Sequence, residues 1–234
     1  MLCKPAEALA ESLLVHSRSQ RAVYLPAWKR CSICMSSPWI KKRPLVCFDE
    51  VPKQLVLEKR APLPTRRGQR VRYDYEYQRN GVCNLFFSGS PSADGDMWVS
   101  DQRCAQDFAR EKKWLVDERY PKAEGIRVVL DNLNTHKAGS LYEAFAPSEA
   151  RRIAKRLEFH YTPKHGSWLN MAEIEISIFS RQCFGGRISD QKRLKQRVSV
   201  LERARNEAHA KINWQFTSED ARVKLHHIYP SIPD

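Results

Sequence analysis

The 234-residue chain contains no apolar run near the roughly 18 residues that a membrane-spanning helix requires. Its best N-terminal apolar stretch is interrupted by Glu7 and Glu11, which argues against a secretory signal. Glycine is scarce, with 9 residues, and proline numbers 13, so collagen-like and low-complexity architectures are excluded. The 7 cysteines are an odd set without disulfide-framework spacing, which predicts reduced thiols and a cytoplasmic protein. Cys31-Ser-Ile-Cys34 is a C-x-x-C without a second pair, and a structural zinc site needs four ligands. No internal repeat, Ser-His-Asp arrangement or nucleotide-binding glycine loop is present. Gly185-Gly186 reads as a turn.

Negative charge is also short. Asp and Glu total 27 against 40 Lys and Arg, a formal charge of +13. A globular chain this basic points to a polyanionic partner, most often nucleic acid; the bland alternative is a merely basic surface. The hydrophobic share of 42% and charged share of 29% fit an ordered protein. The length suits one large domain, alone or with appendages, able to bury a core without staples.

Residues 1–43 stand apart as a short helical stretch, Ala6 to Val15, followed by a basic, cysteine-bearing segment without clear period. From Pro44 the patterning sharpens. Leu45–Phe48 reads as a buried strand opening onto Asp49-Glu50. Val71–Tyr77 alternates with the strand period, Asn80-Gly81 is a hairpin-turn signal, and Val82–Phe87 reads as the returning strand. Asp94-Gly95 marks another turn before a short strand at Met97–Ser100. Ala105, Phe108, Ala109, Leu115 and Val116 share one helical face. Strands at Ile126–Leu130 and Leu157–Tyr161 flank helices near Ser140–Phe145 and Pro147–Arg156. Further helices are expected at Trp168–Cys183, Asp190–Ala210 and Thr217–Ile228. Strands first, then strands alternating with helices, predict an α/β or α+β domain with a mixed sheet.

Three acids stand out by position: Asp49 and Asp131 at strand ends, and Glu173 one turn into a helix. Carboxylates at strand ends and a helix start can converge at one rim of a sheet. Crowded together they repel, unless divalent cations bridge them, and hard oxygen ligands suit Mg²⁺ or Mn²⁺.

The words around these acids are Cys-Phe-Asp49-Glu50, Leu-Asp131-Asn-Leu-Asn-Thr-His136, and Leu169-Asn170-Met-Ala-Glu173. In this order they resemble the catalytic domain of bacterial insertion-sequence DDE transposases, specifically the insertion-sequence six-thirty group related to mariner elements. Tyr73–Tyr77, Arg79-Asn-Gly81 and the tail from Trp214 to Pro230 add to the likeness, which covers about residues 44–232. The resemblance implies an α/β, ribonuclease-H-like mixed sheet flanked by helices, and a transposase that cleaves and transfers DNA strands. It implies two divalent cations, Mg²⁺ or Mn²⁺, held by Asp49, Asp131 and Glu173. Glu50, Asn132, His136, Lys164, His165 and Asn170 become neighbours that bind DNA or position the triad. The implied partners are double-stranded DNA, as element ends and TA-containing target, and a second copy in a homodimer. The implied location is the bacterial cytoplasm, at the nucleoid.

Complete members of that group begin with a helix-turn-helix DNA-binding region, which residues 1–43 do not match. That segment is expected to be a truncated or frame-shifted head, so specific recognition of element ends is expected to be weak. A decayed, non-catalytic DNA-binding remnant and a nuclease acting on RNA–DNA hybrids remain as alternatives. Individual residues leave alternatives too. His136 and His165 orient phosphate or serve as structural loop histidines. Trp168 anchors the core or stacks on a base. Two basic clusters compete for DNA: Arg151, Arg152, Lys155 and Arg156 against Lys192, Arg193, Lys195, Arg197, Arg203 and Arg205. Glu173 and Glu175 differ by about 200° around a helix, so only one can face the site, and the motif register selects Glu173.

Overall fold

The computed structural model describes residues 30–35, 37, 39–61, 68, 74–91, 94–163, 166–210, 212 and 214. The expected helices at 6–15 and 217–228, strand residues 71–73, and the site candidates Lys164 and His165 lie outside the described residues.

Five strands form one mixed sheet in the order β3-β2-β1-β4-β5. They are β1 Leu45–Glu58, β2 Tyr77–Gly89, β3 Gly95–Ser100, β4 Ile126–Leu130 and β5 Leu157–Tyr161. β1 pairs antiparallel with β2, and β2 with β3, whereas β1–β4 and β4–β5 are parallel. Parallel neighbours need crossover connections, and the chain supplies helices for them: α1 Ala105–Trp114 between β3 and β4, then α2 Gly139–Ala144 and α3 Pro147–Ala154 between β4 and β5. Pro147 starts α3, where its missing N–H costs no helical bond. After β5 come α4 Ala172–Gln182 and α5 Gln191–Glu207. The motifs implied a mixed sheet flanked by helices, and that is the architecture observed.

Alternation along β1 divides the core. Leu45 and Cys47 face Leu85, Phe87 and Val129, and this side is covered by Phe179 of α4 and by Leu194 and Val198 of α5. Val46 and Phe48 face the other way, onto Phe86, Val128 and Leu130, covered by Phe108 of α1, Leu141 of α2 and Ile153 of α3. Each such fully buried side chain contributes about 1.5–3 kcal/mol. A helical turn at 30–35 packs into the first of these layers through Cys31, Cys34 and Met35. Cys31 donates its thiol hydrogen to the Tyr161 carbonyl of edge strand β5 at 3.4 Å. Burial pushes the Cys31 thiol up to about 12, and both members of the C-x-x-C are free.

Four expectations need correction. Of the strand expected at Val71–Tyr77, residues 74–76 are not strand, and β2 begins only at Tyr77. The first strand does not end at Phe48: β1 continues through Asp49 and Glu50 to Glu58, because β2 stays paired with it well past the end of β4. Asn80-Gly81 is not a hairpin turn but lies inside β2. The β1–β2 register shifts there, between Gln54 opposite Val82 and Val56 opposite Arg79, so both residues oppose Leu55 as a bulge. Gly81 takes the left-handed φ of 88° that would also have suited a turn. The helix expected from Trp168 is broken: a 3₁₀ turn at Ser167–Leu169 stops at Asn170, and α4 starts only at Ala172.

Candidate active site

The register of the central parallel pair places the first two acids. Cys47 of β1 stands opposite Val129 of β4. Asp49 and Asp131 each lie two residues further on, so both follow the same pleat at the carboxyl end of the pair, where adjacent strands are about 4.8 Å apart. The third acid arrives on α4, fixed by Asn170. The Asn170 amide donates to the Phe48 carbonyl at 2.7 Å, and its side-chain oxygen accepts from the Ala172 N–H at 3.2 Å. One buried side chain therefore holds the first N–H of α4 and fastens the helix to β1 beside Asp49. Glu173 follows in the first turn of α4, where the helix dipole favours negative charge.

The electrostatics show the three acids as neighbours. Burial, and then the negative charges of Glu173, Asp131 and Glu50, raise the Asp49 carboxyl to about 7, against a hydrogen bond from the Glu50 N–H that lowers it. Among the described residues, no three acidic, histidine or cysteine side chains stand in a ready-made metal cluster. The acids share a field rather than a finished cage. The donor chemistry still fits a hard divalent cation: carboxylate oxygens, partly desolvated and mutually repelling.

Alternation sends Glu50 to the opposite side of β1 from Asp49. Its carboxylate, 3% exposed, has Arg103 Nε at 3.1 Å and His136 Nε2 at 3.7 Å. Neither Glu50 oxygen, nor His136 Nε2, has an aligned hydrogen bond. His136 Nδ1 lies against Asp131 Oδ1. A carboxylate can only accept, so Nδ1 carries the shared proton. The imidazole stacks on Phe108 at 5.0 Å and meets the edge of Phe48 at 5.1 Å. Burial disfavours the imidazolium, but the Asp131 bond and the negative charges of Asp131 and Glu50 outweigh it and raise the His136 pKa. His136 thus bridges Asp131 to Glu50 through the core. Asn132, by contrast, is exposed and has no hydrogen bond among the described residues.

Glu175 leaves this group. It is buried and pairs with Arg205 of α5 at 2.6 Å, so it joins two helices. Trp168 is partly buried against the core layer that holds α4. Lys112 was not found from sequence, because Arg110-Glu-Lys-Lys-Trp114 looks like a solvated face. Its ammonium is fully buried, ion-paired with Glu111, 3.4 Å from the centre of the Phe48 ring and 4.7 Å from that of Phe108. The available signal was phase: Lys112 lies four residues after Phe108 and three before Leu115, on the apolar face of its helix.

Residues 44–195 match the family described as DDE superfamily endonuclease, and the chain belongs to that family. Among solved structures it is similar to the Mos1 mariner paired end complex with Mn, at 13% identity and a TM-score of 0.49, covering 97% of this chain and 61% of that one. It is also similar to the Mos1 strand transfer complex, at 13% identity and a TM-score of 0.47, covering 90% of this chain and 56% of that one. The chain thus spans about three-fifths of the length of these structures. No curated protein matches it.

Proposed function

We propose that this chain is the catalytic part of a bacterial insertion-sequence transposase, cleaving and transferring strands of double-stranded DNA. The carrying observation is geometric: Asp49 and Asp131 follow the parallel β1–β4 pair at its carboxyl end, and Asn170 fastens α4, with Glu173 in its first turn, to β1 beside Asp49. An uncompensated acid group on a +13 chain suits cation-assisted phosphoryl transfer on a polyanion. Asp49, Asp131 and Glu173 are the residues that would hold two Mg²⁺ or Mn²⁺ ions. The chemistry such ions supply is activation of an attacking oxygen and neutralisation of charge on the leaving one.

The chain's own residues position these groups. His136 orients Asp131 through Nδ1 and is backed by Glu50, and Asn170 sets the distance from α4 to β1. Asn132, exposed beside Asp131, Lys164 and His165 are the residues assigned to DNA. No side chain needs to bond covalently to phosphorus, because holding the attacking hydroxyl in line with the scissile bond suffices. The reading extends to residues 44–232 as one catalytic unit, residues 1–43 as an atypical head, the insertion-sequence six-thirty group, a homodimer on element ends, and a location at the bacterial nucleoid.

The second reading is a DNA-binding remnant without catalysis. Nicking of supercoiled plasmid with Mn²⁺ separates the two. The wild type should nick, and Asp131→Ala should not. Mn²⁺ should also raise the melting temperature of the wild type, because a ligand bound only by the folded state stabilises it. That increment should vanish in Asp131→Ala. DNA binding without nicking or a metal increment would establish the remnant.

A further inference from the structure

Each basic cluster has cations held within the molecule and cations without a partner, and the unpaired ones of the second cluster share one helix. In the first basic cluster, Arg152 forks onto Asp117 at 2.7 and 2.8 Å and also reaches Glu149, while Arg156 donates to the Tyr120 carbonyl at 3.1 Å. In the second cluster, Arg205 holds Glu175, and Arg197 donates to the carbonyls of Cys183 and Gly185, each at 3.3 Å. Lys192, Arg193, Lys195 and Arg203 are exposed and have no side-chain partner among the described residues.

At 100° per residue, Lys192, Lys195 and Arg203 fall on one side of α5, together with exposed Gln196 and Ser199. The opposite side holds Leu194 and Val198 in the core. The polar side contains no acid between Gln191 and Leu201, and Glu202 is turned toward Asp96 and Met97 on β3. The stripe spans about 16 Å at 1.5 Å per residue, a length that passes about five phosphates of one strand at 3.4 Å each.

The direction of α5 relates this stripe to the candidate site. Arg205 meets Glu175 near the start of α4, and Arg197 meets Cys183 just past its end, so the two helices run antiparallel. Arg203 therefore lies toward the Glu173 end of α4, and Lys195 and then Lys192 lie progressively farther from it.

We infer that the exposed side of α5, through Lys192, Lys195 and Arg203, is a track for the sugar-phosphate backbone of duplex DNA leading away from the acid site. The inference rests on the proposed DNA function and adds which surface carries the flanking duplex. The contacts are to phosphate, so they position DNA without reading its sequence.

The test is the salt dependence of binding to a duplex of arbitrary sequence, followed by fluorescence anisotropy, for the whole chain and two charge-matched triple variants. One is Lys192→Gln/Lys195→Gln/Arg203→Gln. The other is Lys122→Gln/Arg151→Gln/Lys155→Gln, which removes three exposed, unpaired cations on the side of the sheet that carries α3. Each phosphate contact contributes about 0.9 to the log–log slope, so the α5 variant should lose about 2.7 from it and the other variant less than about 1. Equal losses, a larger loss in the α3-side variant, or no loss in either would overturn the α5 track while leaving DNA binding intact. A wild type that does not bind duplex DNA would overturn the proposed function itself. Circular dichroism of both variants checks that these surface changes leave the fold unaltered.

Discussion

At the residue scale, the most constrained charge is Lys112. It has no access to water and is held by Glu111 and two aromatic rings, while the Ser88 hydroxyl donates to Glu111. Burial lowers the Lys112 pKa against the opposing pull of Glu111 and Glu50. Removing one partner of a buried pair leaves the other uncompensated, at a cost of about 3–5 kcal/mol. Lys112→Met should therefore lower unfolding free energy by that order in urea titration, and Lys112→Met/Glu111→Gln should recover much of the loss. If the single variant were as stable as the wild type, the pair would contribute nothing. Asp49, Asp131 and Glu173 could be picked from the sequence because their words are distinctive. Lys112 and Arg103 could not, since a buried cation and an exposed one look alike until the helix phase and its neighbours are known.

At the element scale, α5 is joined to the sheet through acids as well as apolar groups. Glu202 of α5 and Asp96 of β3 are raised to about 7 and about 6, chiefly by burial, and each also feels nearby negative charge. A carboxyl with a raised folded-state pKa binds more protons in the native state than in the unfolded chain. Stability is then highest below the unfolded value and falls as pH rises through the folded one. Between about pH 4 and 7 the metal-free protein should lose stability from this pair, and Glu202→Gln should flatten the trend in thermal melts. A slope unchanged by Glu202→Gln would place its origin elsewhere. Most elements were legible in the sequence: β4, β5, α3 and α5 follow clear apolar periods and start signals. The misread ones depend on tertiary partners. β1 runs on because β2 accompanies it, Asn80-Gly81 bulges because its flanks stay paired, and α4 starts late because Asn170 turns to Phe48.

At the scale of the whole molecule, the sheet and both helical layers converge on one arrangement. β1 and β4 carry Asp49 and Asp131 to one end, α4 brings Glu173 there, and Glu50 of β1 and His136 after β4 back the group on the side of the sheet that α1 covers. Sequence order alone gave the three acids but not the parallel register that aligns two of them, nor the Arg205 pair that turns Glu175 away. That division between Glu173 and Glu175 is the sharpest consequence of the account. The decisive measurement is Mn²⁺-dependent nicking of supercoiled plasmid by wild type, Glu173→Gln and Glu175→Gln, with duplex binding measured alongside. The amide keeps the shape but removes the charge that a divalent ion requires. Glu173→Gln should bind DNA normally and cut at background level. Glu175→Gln should keep most of its activity while melting earlier, since Arg205 loses its partner. Normal cutting by Glu173→Gln, with loss in a still-folded Glu175→Gln, would contradict the assignment of the third acid and the site built on it.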